Sequence, residues 1–295
     1  MSVRIHTYWK STSAVVVGVL LSVFFLLGTR FFSREQPVPA PASADLRQSR
    51  MLEVGEELEY KVSYTIFNIG TIRTKVLGRE ERGGRTVYKT SALIDSNPSL
   101  SWLVTLHIRF YSEMDGSVYS YRWIEDDSTK KETNYKIFRF DYENKKAYLE
   151  VGKVLSSGER KPESSDTIAV DANCQDGLSL FFYAREHVHQ KNPENVPTLI
   201  EKKQERTFIN FTNKRTDADV DGVDYPVDVV AFDGKADYVG IFGLTGGFRG
   251  WFSNDEASVP ILARMNVILG SIKIQLMHWN RPGWQPPKYV EGPEK

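Results

Sequence analysis

From residue 58 onward the chain alternates. Leu58, Tyr60, Val62, Tyr64 and Ile66 fall on one side, and Glu59, Lys61, Ser63 and Thr65 on the other. A period of two is that of a strand with one buried and one wet face. The pattern resumes after each turn signal. Residues 72–76 follow Asn68-Ile69-Gly70, residues 87–94 follow Gly83-Gly84, and residues 119–123 follow Asp115-Gly116. Strands over 134–140 and 147–151 extend this meander. Late strands are expected at 207–211, 227–232, 248–252, 261–269 and 272–279, the last two joined by a hairpin at Gly270. One stretch breaks the period. Residues 176–188 place Leu178, Phe181, Phe182 and Arg185 at helical spacing, with Asp176 as N-cap and Pro193 and Pro197 closing the region. No solenoid or propeller repeat is present. The spacing predicts a mostly β domain over residues 52–280. Its architecture is a curved antiparallel sheet, half-barrel or sandwich covered by one amphipathic helix.

The N-terminus follows a different rule. Residues 11–29 carry no charge between Lys10 and Arg30. As a helix they would span about 28 Å, close to the thickness of bilayer hydrocarbon. Tyr8 and Trp9 sit where an interfacial aromatic belt would lie. A cleaved signal peptide needs a small-x-small site soon after the apolar run, and Ala42-Ser43-Ala44 is far downstream. The expectation is a transmembrane signal anchor at 11–29 behind a cytoplasmic tail at 1–10. A Pro-rich linker over 30–51 then acts as a semi-rigid spacer, and a Pro-rich tail covers 281–295. Positive residues flank the apolar run on both sides, so charge alone does not orient it.

Composition narrows the partners. The first 34 residues hold four basic side chains and no acid, so a formally neutral chain has an acidic body. Such a body has no electrostatic footprint for nucleic acid. Cys174 is the single cysteine, which rules out an internal disulfide or a Cys-based metal cage. Tyr and Phe dominate the aromatics, as suits half-buried pleated surfaces.

Candidate chemistry is sparse. Asp217, Asp219, Asp221 and Asp228, with Gly222 between, match the one-three-five-twelve acid spacing of a Ca²⁺ loop. The strand-like flanks and Pro226 suit a solvated Asp-Gly turn equally well. Tyr119, Tyr121 and Trp123 form a stripe. With Phe138 and Phe140 on the next strand and Phe181 and Phe182 on the helix, they would either line an apolar ligand cavity or pack as core. His187 and His189 diverge on a helix and do not chelate together. The glycines between 240 and 250 lack the Lys-Ser/Thr of a phosphate loop and suggest close backbone approach. No Gly-x-Ser-x-Gly nucleophile motif occurs.

Three stretches together resemble a known family. They are residues 52–64 followed by Ile69-Gly70, the helix at 176–185, and residues 250–256 followed by Val259-Pro260 and Gly270. In order and spacing they are similar to the bacterial exported family called domain of unknown function 3108. The resemblance implies a β-rich domain in the cell envelope and carries no activity with it. Two function classes therefore stay open. One is a non-enzymatic, inner-membrane-anchored protein that binds a lipid-like ligand or an envelope protein, its domain in the periplasm or cell exterior. The other is a hydrolase acting on envelope polymers.

Overall fold

The computed structural model describes residues 50–102, 105–236, 244–267 and 270–291. The chain first lays down β1 (Glu57–Tyr64), β2 (Phe67–Arg82), β3 (Arg85–Ser96), β4 (His107–Asp115), β5 (Ser120–Asp127), β6 (Thr133–Asp141), β7 (Lys146–Val154) and β8 (Arg160–Ala169). Helix α1 (Ser179–His187) follows. Then come β9 (Pro193–Ile200), β10 (Lys203–Ala218), β11 (Val227–Ala236), β12 (Leu244–Ser253), β13 (Pro260–Val267) and β14 (Ser271–Asn280).

All of these strands join one 14-stranded antiparallel sheet, in the order β8-β7-β6-β5-β4-β3-β2-β1-β14-β13-β12-β11-β10-β9. The first eight step outward from β1, and the last six step inward to β14. First and last strands then pair, with Leu58 opposite Trp279 and Val62 opposite Ile274. The order ends at β8 and β9, so the sheet is open and not a closed barrel. Among the described residues the expected mostly β class with one α-helix holds. A single continuous sheet takes the place of a sandwich.

The two edges are protected differently. β9 carries Pro193 and Pro197, and Pro is tolerated on an edge because it has no N–H to donate. Gln175 also pairs with this edge, donating its N–H to Pro197 O at 2.8 Å and accepting from Leu199 N at 2.9 Å. β8 is largely exposed and rich in charge, which discourages further strand pairing. The edges curl toward each other, with Lys202 Nζ 3.2 Å from Asp166 Oδ2.

Helix α1 packs in the hollow of this curl. Phe182 joins the cluster of Phe110, Trp123, Phe138 and Leu149 from the first half. Ala184 and Val188 join Phe211, Phe232 and Phe252 from the second. One short helix thus ties both halves together. Its start is held by Asp176, whose Oδ1 accepts from Leu178 N at 2.6 Å and Ser179 N at 2.7 Å. The expected capping role of Asp176 is met, two residues ahead of the formal cap Leu178.

The Pro-rich tail is docked through residues 284–289. Pro287 O accepts from Asp228 N at 2.7 Å, Tyr289 N donates to Pro226 O at 2.8 Å, and Trp284 is buried. Met51, at the end of the expected linker, is buried in the first cluster. The expected transmembrane helix at 11–29 lies outside the described residues. Among the described residues no helix is long and apolar enough to cross a membrane, which leaves strands aside.

Candidate functional site

The curl of the sheet leaves space. A cavity of about 390 Å³ lies between α1 and strands of both halves. Leu178 at the helix cap and Leu180, Phe181 and Ala184 of the helix form one wall. Tyr60, Ile72, Ile94, Phe248, Trp251, Leu262, Met265 and Ile274 supply much of the rest. Tyr60 also brings a buried hydroxyl that has no hydrogen-bond partner. Burial pushes that phenol well above its ordinary range, so it stays neutral. Among the described lining residues there is no carboxylate, histidine or cysteine.

Glycines shape this wall. Phe232 pairs across strands with Gly250, and Phe248 with Gly234. A Cβ on Gly250 would meet the Phe232 ring at 2.3 Å, and one on Gly234 would meet the Phe248 ring at 2.3 Å. The close approach expected of this Gly-rich stretch is therefore present at Gly250. Each ring covers the glycine opposite it.

Of the seven aromatic residues singled out from sequence, Phe181 lines the cavity. Trp123, Phe138, Phe140 and Phe182 are buried in the first core cluster, behind the wall. Trp123 packs at 5.7 Å from Phe110 and 5.5 Å from Phe138, centroid to centroid. Tyr119 and Tyr121 do not share the face of Trp123. Met114 faces Ser120 while Glu113 faces Arg122, so Tyr121 is the extra residue of a β-bulge. The bulge turns Ser120 inward instead, and Tyr121 hydrogen-bonds Asp115 Oδ2 at 3.2 Å.

Next to the cavity, where Ala184 and Tyr60 line it, lies a buried polar node. Arg185 is fully buried and Glu56 nearly so. Arg185 donates to Glu56 Oε1 at 2.6 Å and Oε2 at 2.9 Å, to Ala257 O at 3.0 Å and to Ser258 O at 3.2 Å. Arg281 also pairs with Glu56. Burial opposes the charge on Glu56, yet the two guanidiniums prevail and hold its carboxyl below the ordinary range. The 254–258 turn is wired into this node. Asp255 Oδ1 accepts from Ser253 Oγ at 2.8 Å, Ala257 N at 3.0 Å and Ser258 N at 3.1 Å. Its Oδ2 accepts from Trp284 Nε1 at 2.8 Å.

A family model described as protein of unknown function (DUF3108) matches residues 59–277. The chain belongs to the DUF3108 family. A comparison with curated proteins returns no match. Two solved structures are similar at 10% identity. One is a β-barrel-like protein of domain of unknown function DUF1849 from Brucella abortus, with a TM-score of 0.47 over 78% of this chain and 98% of that one. The other is the hypothetical protein CT021 from Chlamydia trachomatis, with a TM-score of 0.33 over 83% of this chain and 96% of that one.

In this DUF3108 chain the three stretches that carry the family resemblance meet in space. Glu56 comes from the first, Arg185 from the second, and the Asp255 turn from the third. Sequence reasoning placed Arg185 on the helix but missed the node, because its members are far apart in the chain.

The acidic segment is dispersed. Asp217 and Asp228 face each other across β10 and β11. Asp228 is held by Arg215, whose Nε lies 2.9 Å from Oδ1, and Asp221 pairs with Lys61. Among the described residues no group of three or more His, Cys, Asp or Glu is gathered as a metal-ligand set. Cys174 is buried, and that burial, with the nearby Asp171 charge, pushes its thiol up to about 12.

Proposed function

We propose that this DUF3108 domain binds an apolar, lipid-like ligand in the cavity of its curved sheet. The reading rests on the cavity itself. Its volume of about 390 Å³ suits a small amphiphile, and its wall is apolar apart from Tyr60, Thr74, Thr207, Arg249 and Asn266. The apolar wall favours binding over catalysis, since glycoside hydrolysis uses two carboxylates flanking the scissile bond. Tethering by residues 11–29 and an envelope location belong to this proposal. A carrier of insoluble chains is useful where membranes are separated by water.

The test uses the full-length chain, stripped of lipid and titrated with a fluorescent long-chain fatty acid below its micellar concentration. Saturable one-to-one binding is expected. Ala263 lies on the wall, opposite Gly250 and Ile274. Ala263→Trp fills the space and should weaken binding by about tenfold or more. Its melting temperature should stay near that of the wild type. A folded chain without saturable binding, or binding untouched by Ala263→Trp, overturns the proposal.

A further inference from the structure

One end of the sheet combines exposed apolar side chains with a row of cations. The turn between β1 and β2 carries Ile66, 90% exposed, and β2 opens on Phe67, 48% exposed. The connection between β3 and β4 carries Trp102, 77% exposed. Asn97 ties that connection to the turn, donating its N–H to Ile69 O at 2.9 Å and its side-chain amide to Asn68 O at 2.9 Å. Single exposed apolar residues are ordinary on a protein surface. Three large ones at one strand end are not scatter.

A cationic row runs beside this end. Arg249 on β12 faces Arg264 on β13, which faces Lys273 on β14. Lys273 in turn faces Ser63, next to the last residue of β1. Residues in register share a face of the sheet, and their sequence neighbours Phe248 and Met265 take the other, packed on core clusters. Like charges directly opposite one another destabilise a sheet. Among the described residues Arg249 and Arg264 are given no ion pair by the structure. Asp233 faces Arg249 but accepts from Asn210, and Asp221, paired with Lys61, also feels Lys273. The row keeps a positive excess.

The cavity reaches this same end. Its wall includes Ile200 and Ala236, the last residues of β9 and β11, and Asn266, next to the last of β13. Helix α1 joins the far ends of β8 and β9, so it closes the opposite end.

We propose that this rim docks on an anionic lipid surface. Ile66, Phe67 and Trp102 enter the interface, Arg249, Arg264 and Lys273 contact the head groups, and the near end of the cavity faces the bilayer. Apolar side chains backed by basic ones are the physical signature of an interfacial anchor. Docking does not depend on cavity binding and is tested separately from it.

Cys174 is buried, with its thiol pushed up, so an introduced surface cysteine labels selectively. An environment-sensitive fluorophore is placed at Ile66→Cys and, at the opposite end, at Glu143→Cys. The full-length chain is reconstituted in phosphatidylcholine vesicles with or without phosphatidylglycerol. The expected result is a blue shift at position 66 in the anionic vesicles, none at 143, and a smaller shift in the neutral ones. Replacing Arg249 or Arg264 with Gln should weaken docking about fivefold each. The shift should persist in Ala263→Trp even if that variant no longer binds fatty acid. No shift at 66, an equal shift at 143, indifference to lipid charge, or loss of the shift in Ala263→Trp overturns the proposal.

Discussion

A buried arginine costs several kcal/mol of desolvation unless its donors are met. Arg185 meets that demand with two carboxylate oxygens and two carbonyls. Removing one partner strands the other, so Arg185→Ala should cost about 3–5 kcal/mol in urea unfolding. Arg185→Lys should recover only part of this, since an ammonium lacks the planar fork. The pH dependence has a definite sign. The Glu56 carboxyl is held below its ordinary value in the fold. Its stabilisation is therefore complete above the unfolded pKa, about 4.3, and is lost as pH falls through the lower folded value. Asp176 behaves oppositely. Burial raises its pKa against hydrogen bonds from Ser112, Ser120, Ser179 and Leu178, so its contribution improves as pH falls. Glu56→Gln should thus be destabilised at neutral pH and show a shallower acid limb than the wild type. An acid limb of unchanged steepness in Glu56→Gln would show that other carboxylates govern acid unfolding.

At the scale of elements, the tail and the acidic hairpin form one unit. Trp284 is buried and donates to Asp255, while Pro287 and Tyr289 hydrogen-bond at the foot of β11. Trp284→Ala should cost about 3 kcal/mol or more. Amide exchange should also quicken at Asp228, whose N–H is donated to the tail. Undiminished protection at Asp228 would mean that the tail contributes nothing to that hairpin. The same elements show what was legible in the sequence. β1 and β3 announce themselves because one face is buried and the other wet, which is all that a period of two encodes. β8 does not, since an exposed charged edge has no apolar face to betray it. β9 reads as the end of a helix because its prolines are tolerated on an edge that sequence alone cannot locate. The stripe from Tyr119 to Trp123 fails for a third reason. A one-residue bulge at Tyr121 reverses the alternation, and bulges leave little local signal. Of the seven aromatics expected at a cavity, Phe181 alone lines the wall. Ile72, Trp251, Met265 and Ile274 come from strands whose curvature only the folded sheet defines.

At the scale of the molecule, the open sheet explains both the stability and the space. Pairing β1 with β14 closes the chain on itself, so the two meanders share one concave face. The short helix fills only part of that face, and the remainder is the cavity. A cavity built this way has a finite length, and this gives the account its most direct test. Each buried methylene contributes about 0.8 kcal/mol, or about fourfold in affinity. Saturated fatty acids of increasing length, titrated calorimetrically against the lipid-free full-length chain, should gain about fourfold per methylene and then level off once the cavity is filled. Affinity that is flat from the shortest acid, or that climbs without limit as in simple partition to a surface, would contradict a ligand-holding sheet.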